Sequence, residues 1–258
     1  MVLAFKLVLT PSVIVASTLA GRRFGRSASG WFVGLPLTSG PIMAFFAVQH
    51  GRPFAARAAV GSLGGAIAEV AFCLAYAAGA RRGSWRRSIV PATLAFGVTA
   101  AVLRLLDLSA TPRDVLPLAA IAVLALVVGL RALPAGETPG GIEPPPPRWD
   151  LPGRAIVATA LLLTLTALAT TLGPALAGVL AVYPLYSAVL AGFAHVAAGA
   201  QGALQVLRGL IVGLYSFVCF YTVLPLLLPH LSTAPAFASA FGACLVVQAM
   251  SLVPLLRQ

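Results

Sequence analysis

The sequence predicts an all-α polytopic membrane bundle of about nine transmembrane helices, built as two inverted-topology four-helix repeats joined through an extra span and a Pro-rich linker. Three observations predict it. Several uncharged apolar stretches are long enough to cross a bilayer, one segment recurs 148 positions later, and the arginines change sides between the two copies.

Apolar residues make up 60% of the 258 and charged residues only 9%, so stretches of about 20 residues run without a charge, the length that spans about 30 Å of hydrocarbon. Within lipid the backbone must satisfy its own hydrogen bonds. Barrel strands would alternate polar and apolar residues, and that alternation is absent, so the spans are helices.

Shifting residues 25–72 by 148 without a gap aligns Gly25/Gly173, Gly30/Gly178, Pro36/Pro184, Leu37/Leu185, Ser39/Ser187, Phe45/Phe193, Val48/Val196, Gly51/Gly199, Ala55/Ala203, Gly61/Gly209, Gly65/Gly213, Val70/Val218 and Phe72/Phe220. These are 13 identities in 48 positions, against roughly 5 expected by chance in this composition. Duplicated membrane units are most familiar in transporters, which place their site between the copies.

In order, the spans are expected near 2–20, 31–49, 55–79, 88–106, 115–133, 154–172, 175–197, 206–229 and 235–256. Residues 1–20 read as a retained first span, because they occupy the place that 153–172 hold in the second copy, with Lys6 matching Arg154. Repeat one covers 1–110, a connecting fifth span 111–133, the linker 134–152 and repeat two 153–258. The prolines of the linker favour an extended, semi-rigid spacer.

An odd number of spans between matching elements turns the second copy upside down. The turns after spans one and three carry Arg22, Arg23, Arg26 and Arg81, Arg82, Arg86, Arg87, whereas those after spans six and eight carry no Arg or Lys. An outside N-terminus and a cytoplasmic C-terminus add Arg131, Arg148, Arg154, Arg208 and Arg257 to those seven, and leave Lys6, Arg52, Arg57, Arg104 and Arg113 on the other face. Trp31, Trp85 and Trp149 fall on the same cytoplasmic side, at headgroup level.

Chemistry must then come from polar groups set in hydrocarbon. Glu69 is the only acidic residue well inside a span, where a charge costs about 2.5–3.5 kcal/mol on insertion scales, so it should face protein or a wet cavity. On a helix it shares a stripe with Ser62, Cys73 and Tyr76, beside a small face of Gly61, Gly65, Ala68 and Phe72. The bland alternative is a protonated Glu69 acting as structural glue.

The second span holds Pro36 and Pro41, each lacking a backbone donor, so a kink or break is expected there with the hydroxyls of Thr38 and Ser39 beside it. The matching segment Pro184, Tyr186 and Ser187 repeats the pattern, which suggests two discontinuous helices around one site. Read alone, either proline set only bends a helix for packing. His195, one turn from the end of its span, is either a proton relay or an interfacial hydrogen-bonding residue. Tyr215 shares a face with Cys219 and Thr222, and Gly209, Gly213 and Ser216 form a small face suited to close helix packing.

The net charge of +11 resides in short clusters between spans, where it orients helices rather than lining a nucleic-acid surface. The three cysteines lie inside spans without CxxC or Cys/His spacing, so neither a disulfide framework nor a metal site is expected. Soluble-enzyme fingerprints are absent, and neither catalysis nor a cofactor is expected.

The run Arg22-Arg23-Phe24-Gly25 through Gly30-Trp31, followed by Gly34-Leu35-Pro36-Leu37-Thr38-Ser39-Gly40-Pro41, resembles bacterial inner-membrane proteins of the GlpM-like kind, which contain a single short multi-span unit. The resemblance covers the first 80 residues or so and implies two such units fused in an inner-membrane protein. It implies no substrate or mechanism. In its pairing of short opposed repeats the chain is also similar to the drug/metabolite transporter superfamily, departing from it with nine spans instead of ten and a glutamate in the third helix rather than the first.

The leading expectation is a secondary transporter or permease of the bacterial inner membrane for a small molecule or ion, with a site between spans two, three, seven and eight and Glu69 as a proton-coupling carboxylate. The alternative is a scaffold or accessory subunit for envelope polymer or lipid export. Anionic headgroups would meet the Arg-rich face, and a homodimer is compatible with either reading.

Overall fold

The computed structural model describes residues 2–81, 83–106, 115–134, 147–171 and 183–256. Among them the chain is entirely helical: α1 (Val2–Phe24), α2 (Arg26–Val33), α3 (Ser39–Gln49), α4 (Arg52–Ala80), α5 (Trp85–Leu105), α6 (Val115–Ala132), α7 (Asp150–Thr171), α8 (Leu185–Leu227) and α9 (Thr233–Leu256). Six are long and apolar enough to cross a membrane: α4, α5, α6, α7 over Asp150–Leu168, α8, and α9 over Thr233–Ser251.

Three of the expected spans take a different form. Span two, expected over 31–49, is split into α2 and α3, because residues 34–38 leave the helix where Pro36 has no amide to donate. Pro41 is accommodated within the first turn of α3, where its missing donor costs little. Spans seven and eight both lie in α8 as two helical arms that meet at a kink, where Ala198 (φ −139°, ψ 21°) and Gly199 (φ 65°, ψ −163°) leave the helical conformation and no loop beyond these two residues intervenes. A similar bend precedes α4, where His50 (φ −115°, ψ 0°) leads into Gly51 (φ 85°, ψ 163°). Both glycines stand at positive φ, which an L side chain adopts only under strain.

The linker is also shorter than expected. Asp150, Leu151 and Pro152 form the first turn of α7, with proline tolerated there for want of an intrahelical acceptor. Residues 135–146 and 172–182 lie outside the described residues, as do Arg82, Arg113 and Arg257, and with them the equivalences at Gly173 and Gly178.

The bundle is organised around α8, whose apolar window is 61% buried against 6% for α7. Helix α4 packs beside it, and together they bury Phe72, Tyr76, Leu207, Phe220 and Tyr221. Outward, α5 exposes Val90, Leu94, Val98 and Val102 at four-residue spacing, a lipid-facing stripe. Lipid is as apolar as these side chains, so cohesion must come from close packing and internal hydrogen bonds. The closest packing lies where α2 crosses the second arm of α8. A Cβ added to Gly209 would strike the Ser27 carbonyl, and one added to Gly30 the Val206 carbonyl. Gly34 and Gly213 approach through their backbones one turn further along.

Polar ties define the two ends of the bundle. At one end Arg22 pairs with Asp150 at 3.0 Å, so the last turn of α1 meets the first turn of α7 and the two packed helices run antiparallel. Arg154 joins the same carboxylate at 3.0 Å and places its guanidinium 5.2 Å from the Phe193 ring centroid. Arg208 donates to the Leu130 and Leu133 carbonyls, capping the C-terminal end of α6. At the opposite end Arg52, first residue of α4, donates to the Leu231 carbonyl just beyond α8, so α4 and the second arm of α8 are likewise antiparallel.

Of the tryptophans expected as anchors, Trp85 and Trp149 are exposed. Trp31 instead ties helices together: its indole donates to Ser251 Oγ at 2.8 Å, and its carbonyl accepts from Gln248 at 3.0 Å.

Candidate functional site: a hydroxyl-lined cavity with one carboxylate

The interruption between α2 and α3 and the amino end of α8 meet at one cavity of about 160 Å³. From the first come Leu35, Leu37, Thr38 and Ser39, and from the second Tyr183, Pro184, Leu185, Tyr186 and Ser187. Helix α4 contributes Ser62, Gly65 and Glu69, whose spacing of three and four residues sets them on one face. Val13 of α1, Val33 of α2, and Leu214 and Phe217 of α8 complete the wall.

The Ser187 hydroxyl donates to Oε1 of Glu69 at 2.5 Å, a charge-assisted geometry when the carboxylate is ionised. Ser187 is the third residue of α8, so Glu69 lies by the amino end of that helix, which favours negative charge. Both tyrosines are held through their hydroxyls, and Tyr183 also through its ring. Tyr183 shares a 3.0 Å hydrogen bond with Thr93 and stands edge-on to Phe72 and Phe96, and Tyr186 donates to Thr10 at 3.3 Å. Ser39 and Ser62 lie beside the Tyr221 hydroxyl. The carboxylate therefore projects into a rigid cup of hydroxyls and aromatic edges.

Of the residues singled out from sequence, Thr38, Ser39, Glu69, Pro184, Tyr186 and Ser187 share this cavity. Pro36 is buried in the interruption between the lining residues Leu35 and Leu37. His195 is not in the cavity wall. It is 6% exposed, two turns of α8 beyond Ser187, with Nδ1 3.3 Å from the Tyr76 hydroxyl and Nε2 without a hydrogen-bond partner among the described residues. Tyr215 is also outside it, half-buried against the core. On the stripe expected around Glu69, Ser62 reaches the cavity, whereas Cys73 and Tyr76 are buried below it.

Three polar residues escaped the sequence reading. Tyr183 and Thr10 escaped because neither carries a motif; only their distance from proline interruptions or from the cavity wall sets them apart. Asp150 escaped because it was assigned to the linker, although its spacing of four from Arg154 is a helical ion-pair signal.

The arrangement has the parts of a binding site: a partly open, largely apolar wall set with hydroxyls, one titratable group and a fixed hydrogen-bond donor. No paired carboxylate or nucleophile–base pair is set in the described wall. The chain matches no family model, no curated protein and no solved structure.

Proposed function

We propose that the chain is a secondary transporter or permease for a small solute, with this cavity as its central site and Glu69 as a proton-coupling carboxylate. One observation carries the reading. A helix interruption marked by Pro36 and a helix start marked by Pro184, 148 residues apart in sequence, line a single cavity that also holds Glu69, a carboxylate set deep in an apolar helix. Discontinuous helices around a polar site are how a membrane protein exposes backbone and hydroxyl groups to a solute without exposing them to lipid.

The same reading takes the two halves as inverted repeats, and the element boundaries support it. Adding 148 carries the start of α5 at Trp85 to that of α9 at Thr233. It carries the positive-φ Gly51 to the positive-φ Gly199. The antiparallel pairings of α1 with α7 and of α4 with the second arm of α8 support opposite orientation. Each half would then correspond to one GlpM-like unit.

The end bearing Arg22, Arg154 and Arg208 is assigned to the cytoplasm of a bacterial inner membrane by the arginine excess, with anionic headgroups as its lipid partners. The scaffold alternative draws no support from the glycine faces of α2 and α8, because they are consumed within the chain. The test is uptake into proteoliposomes with an imposed pH gradient, using a panel of small polar solutes. Gradient-driven accumulation of at least one is expected; leak-level uptake of all of them, from protein that remains monodisperse and folded, would refute transport.

A further inference from the structure

We propose that the cavity binds a small organic cation, an ammonium-bearing molecule of about benzene size or smaller, in exchange for the proton on Glu69. The inference rests on the transporter reading for its direction of use, but the binding chemistry stands on the cavity alone. A volume of about 160 Å³ is close to that of dry cavities that admit benzene.

Charge decides the class. The described wall holds one carboxylate and no Lys, Arg or His. The other titratable groups near Glu69 are Cys73 on its own helix and Tyr183 and Tyr186 from the facing segment, none of which supplies a cation at neutral pH. Removing an ionised carboxylate from water costs several kcal/mol unless a counter-charge accompanies it. A proton or a ligand cation satisfies that need equally well, and one carboxylate accommodates one of them at a time. A neutral solute leaves the need unmet, and an anion aggravates it.

The amino ends of α3 and α8 also open on the cavity and oppose this preference, with roughly half a unit of positive charge each. Their field is the weaker one. Each is countered by the opposite pole of its own helix, and that of α8 already lies against Glu69 through Ser187. The hydroxyls of Thr38, Ser39 and Ser62 would accept the remaining ammonium hydrogens, and Tyr183, Tyr186 and Phe217 supply aromatic rings to the same wall.

The exchange balances without a further reactant. The carboxylic acid of Glu69 gives its proton to water on the side to which the cavity is open, and the carboxylate so formed pairs with the incoming ammonium. No covalent bond to carbon forms or breaks.

Four probes with a common small skeleton separate the classes: ethanolamine, ethylene glycol, glycolate and glycine, titrated against purified wild-type protein in detergent. Ethanolamine should bind at least tenfold tighter than the other three, its affinity should rise with pH, and its binding should release protons into weakly buffered solution. Glu69→Gln should weaken ethanolamine at least tenfold and abolish proton release. Equal binding of ethylene glycol, or tighter binding of glycolate or glycine, overturns the cation assignment, and the wild-type comparison decides this even where the variant fails to fold. Ethanolamine binding with proton release but without uptake into proteoliposomes supports the cation site and refutes transport. Uptake of ethylene glycol without cation preference does the reverse.

Discussion

Ser187 and Glu69, 118 residues apart in the chain, are joined by a 2.5 Å hydrogen bond that links the first turn of α8 to the middle of α4. The bond spans the cavity wall and connects the two halves of the molecule. It fixes the rotamer of the carboxylate, and with it the position of the only acid in the described wall.

Ser187→Ala should therefore loosen the site without filling it. With Glu69 protonated, the hydrogen bond contributes about 0.5–1.5 kcal/mol, and thermal unfolding in detergent should show a loss of that order. Ser187→Thr, which retains the hydroxyl, should recover most of it. An unchanged midpoint for the alanine variant would mean that Glu69 finds an equivalent donor elsewhere.

The crossing of α2 and α8 gives a second expectation, since backbone rather than side chain fills the contact. Gly209→Ala puts a methyl against the Ser27 carbonyl and should destabilise the protein by about 1–3 kcal/mol, the usual range for overpacking. Gly242→Ala, on an exposed face of α9 with open space around its Cα, should cost nothing measurable. Comparing the two midpoints separates crowding from any general intolerance of alanine. Equal behaviour would count against a crossing this tight.

What could be read from sequence and what could not divide along a physical line. Apolar length and proline chemistry are local, so the helices, the interruption at Pro36 and the group formed by Thr38, Ser39, Glu69, Tyr186 and Ser187 were all legible. That spans seven and eight meet directly at a kink was not, because a kink at Gly199 and a loop leave the same small-residue signature in sequence. Nor was the exclusion of His195 and Tyr215 from the cavity. Each sits on a plausible helical face, but which faces meet depends on the crossing of α2 over α8, a tertiary fact carried by glycine contacts. The role of Trp31 was hidden likewise, since its partners Gln248 and Ser251 lie more than 200 residues away.

The Asp150 cluster should behave as a coupled unit. Its carboxylate is 6% exposed and holds Arg22 and Arg154 at 3.0 Å, so removing the acid alone leaves two cations facing each other. Asp150→Asn should destabilise by about 2–3 kcal/mol, and a double-mutant cycle with Arg154→Gln should return a coupling of about 1–3 kcal/mol. Additive losses in thermal unfolding would show that the cluster contributes as independent surface charges.

The proposed orientation makes a prediction that needs no stability measurement. Reporter fusions after residues 23, 86 and 149 should be cytoplasmic, and one after residue 230 should be external, because the arginine clusters mark the first three sites and the last follows an arginine-free turn. Residues 23 and 149 flank the Arg22–Asp150 pair and must lie on one side whichever way the protein inserts. Finding residues 86 and 230 on the same side would remove the inverted-repeat reading.

The last prediction concerns coupling at Glu69. Glutamine preserves the length of the side chain and can still accept the Ser187 hydrogen bond, but it neither ionises nor exchanges a proton. If Glu69 carries coupling, Glu69→Gln should express and fold nearly as the wild type, and transport by it should lose all dependence on an imposed pH gradient. Alanine differs, because it empties part of the wall and leaves the Ser187 donor without an acceptor, an unsatisfied buried group that costs about 1–3 kcal/mol. The two substitutions therefore separate chemistry from packing. Normal gradient-driven transport by Glu69→Gln, together with unfolding of Glu69→Ala, would identify the residue as structural glue between α4 and α8 and end the proton-coupled reading.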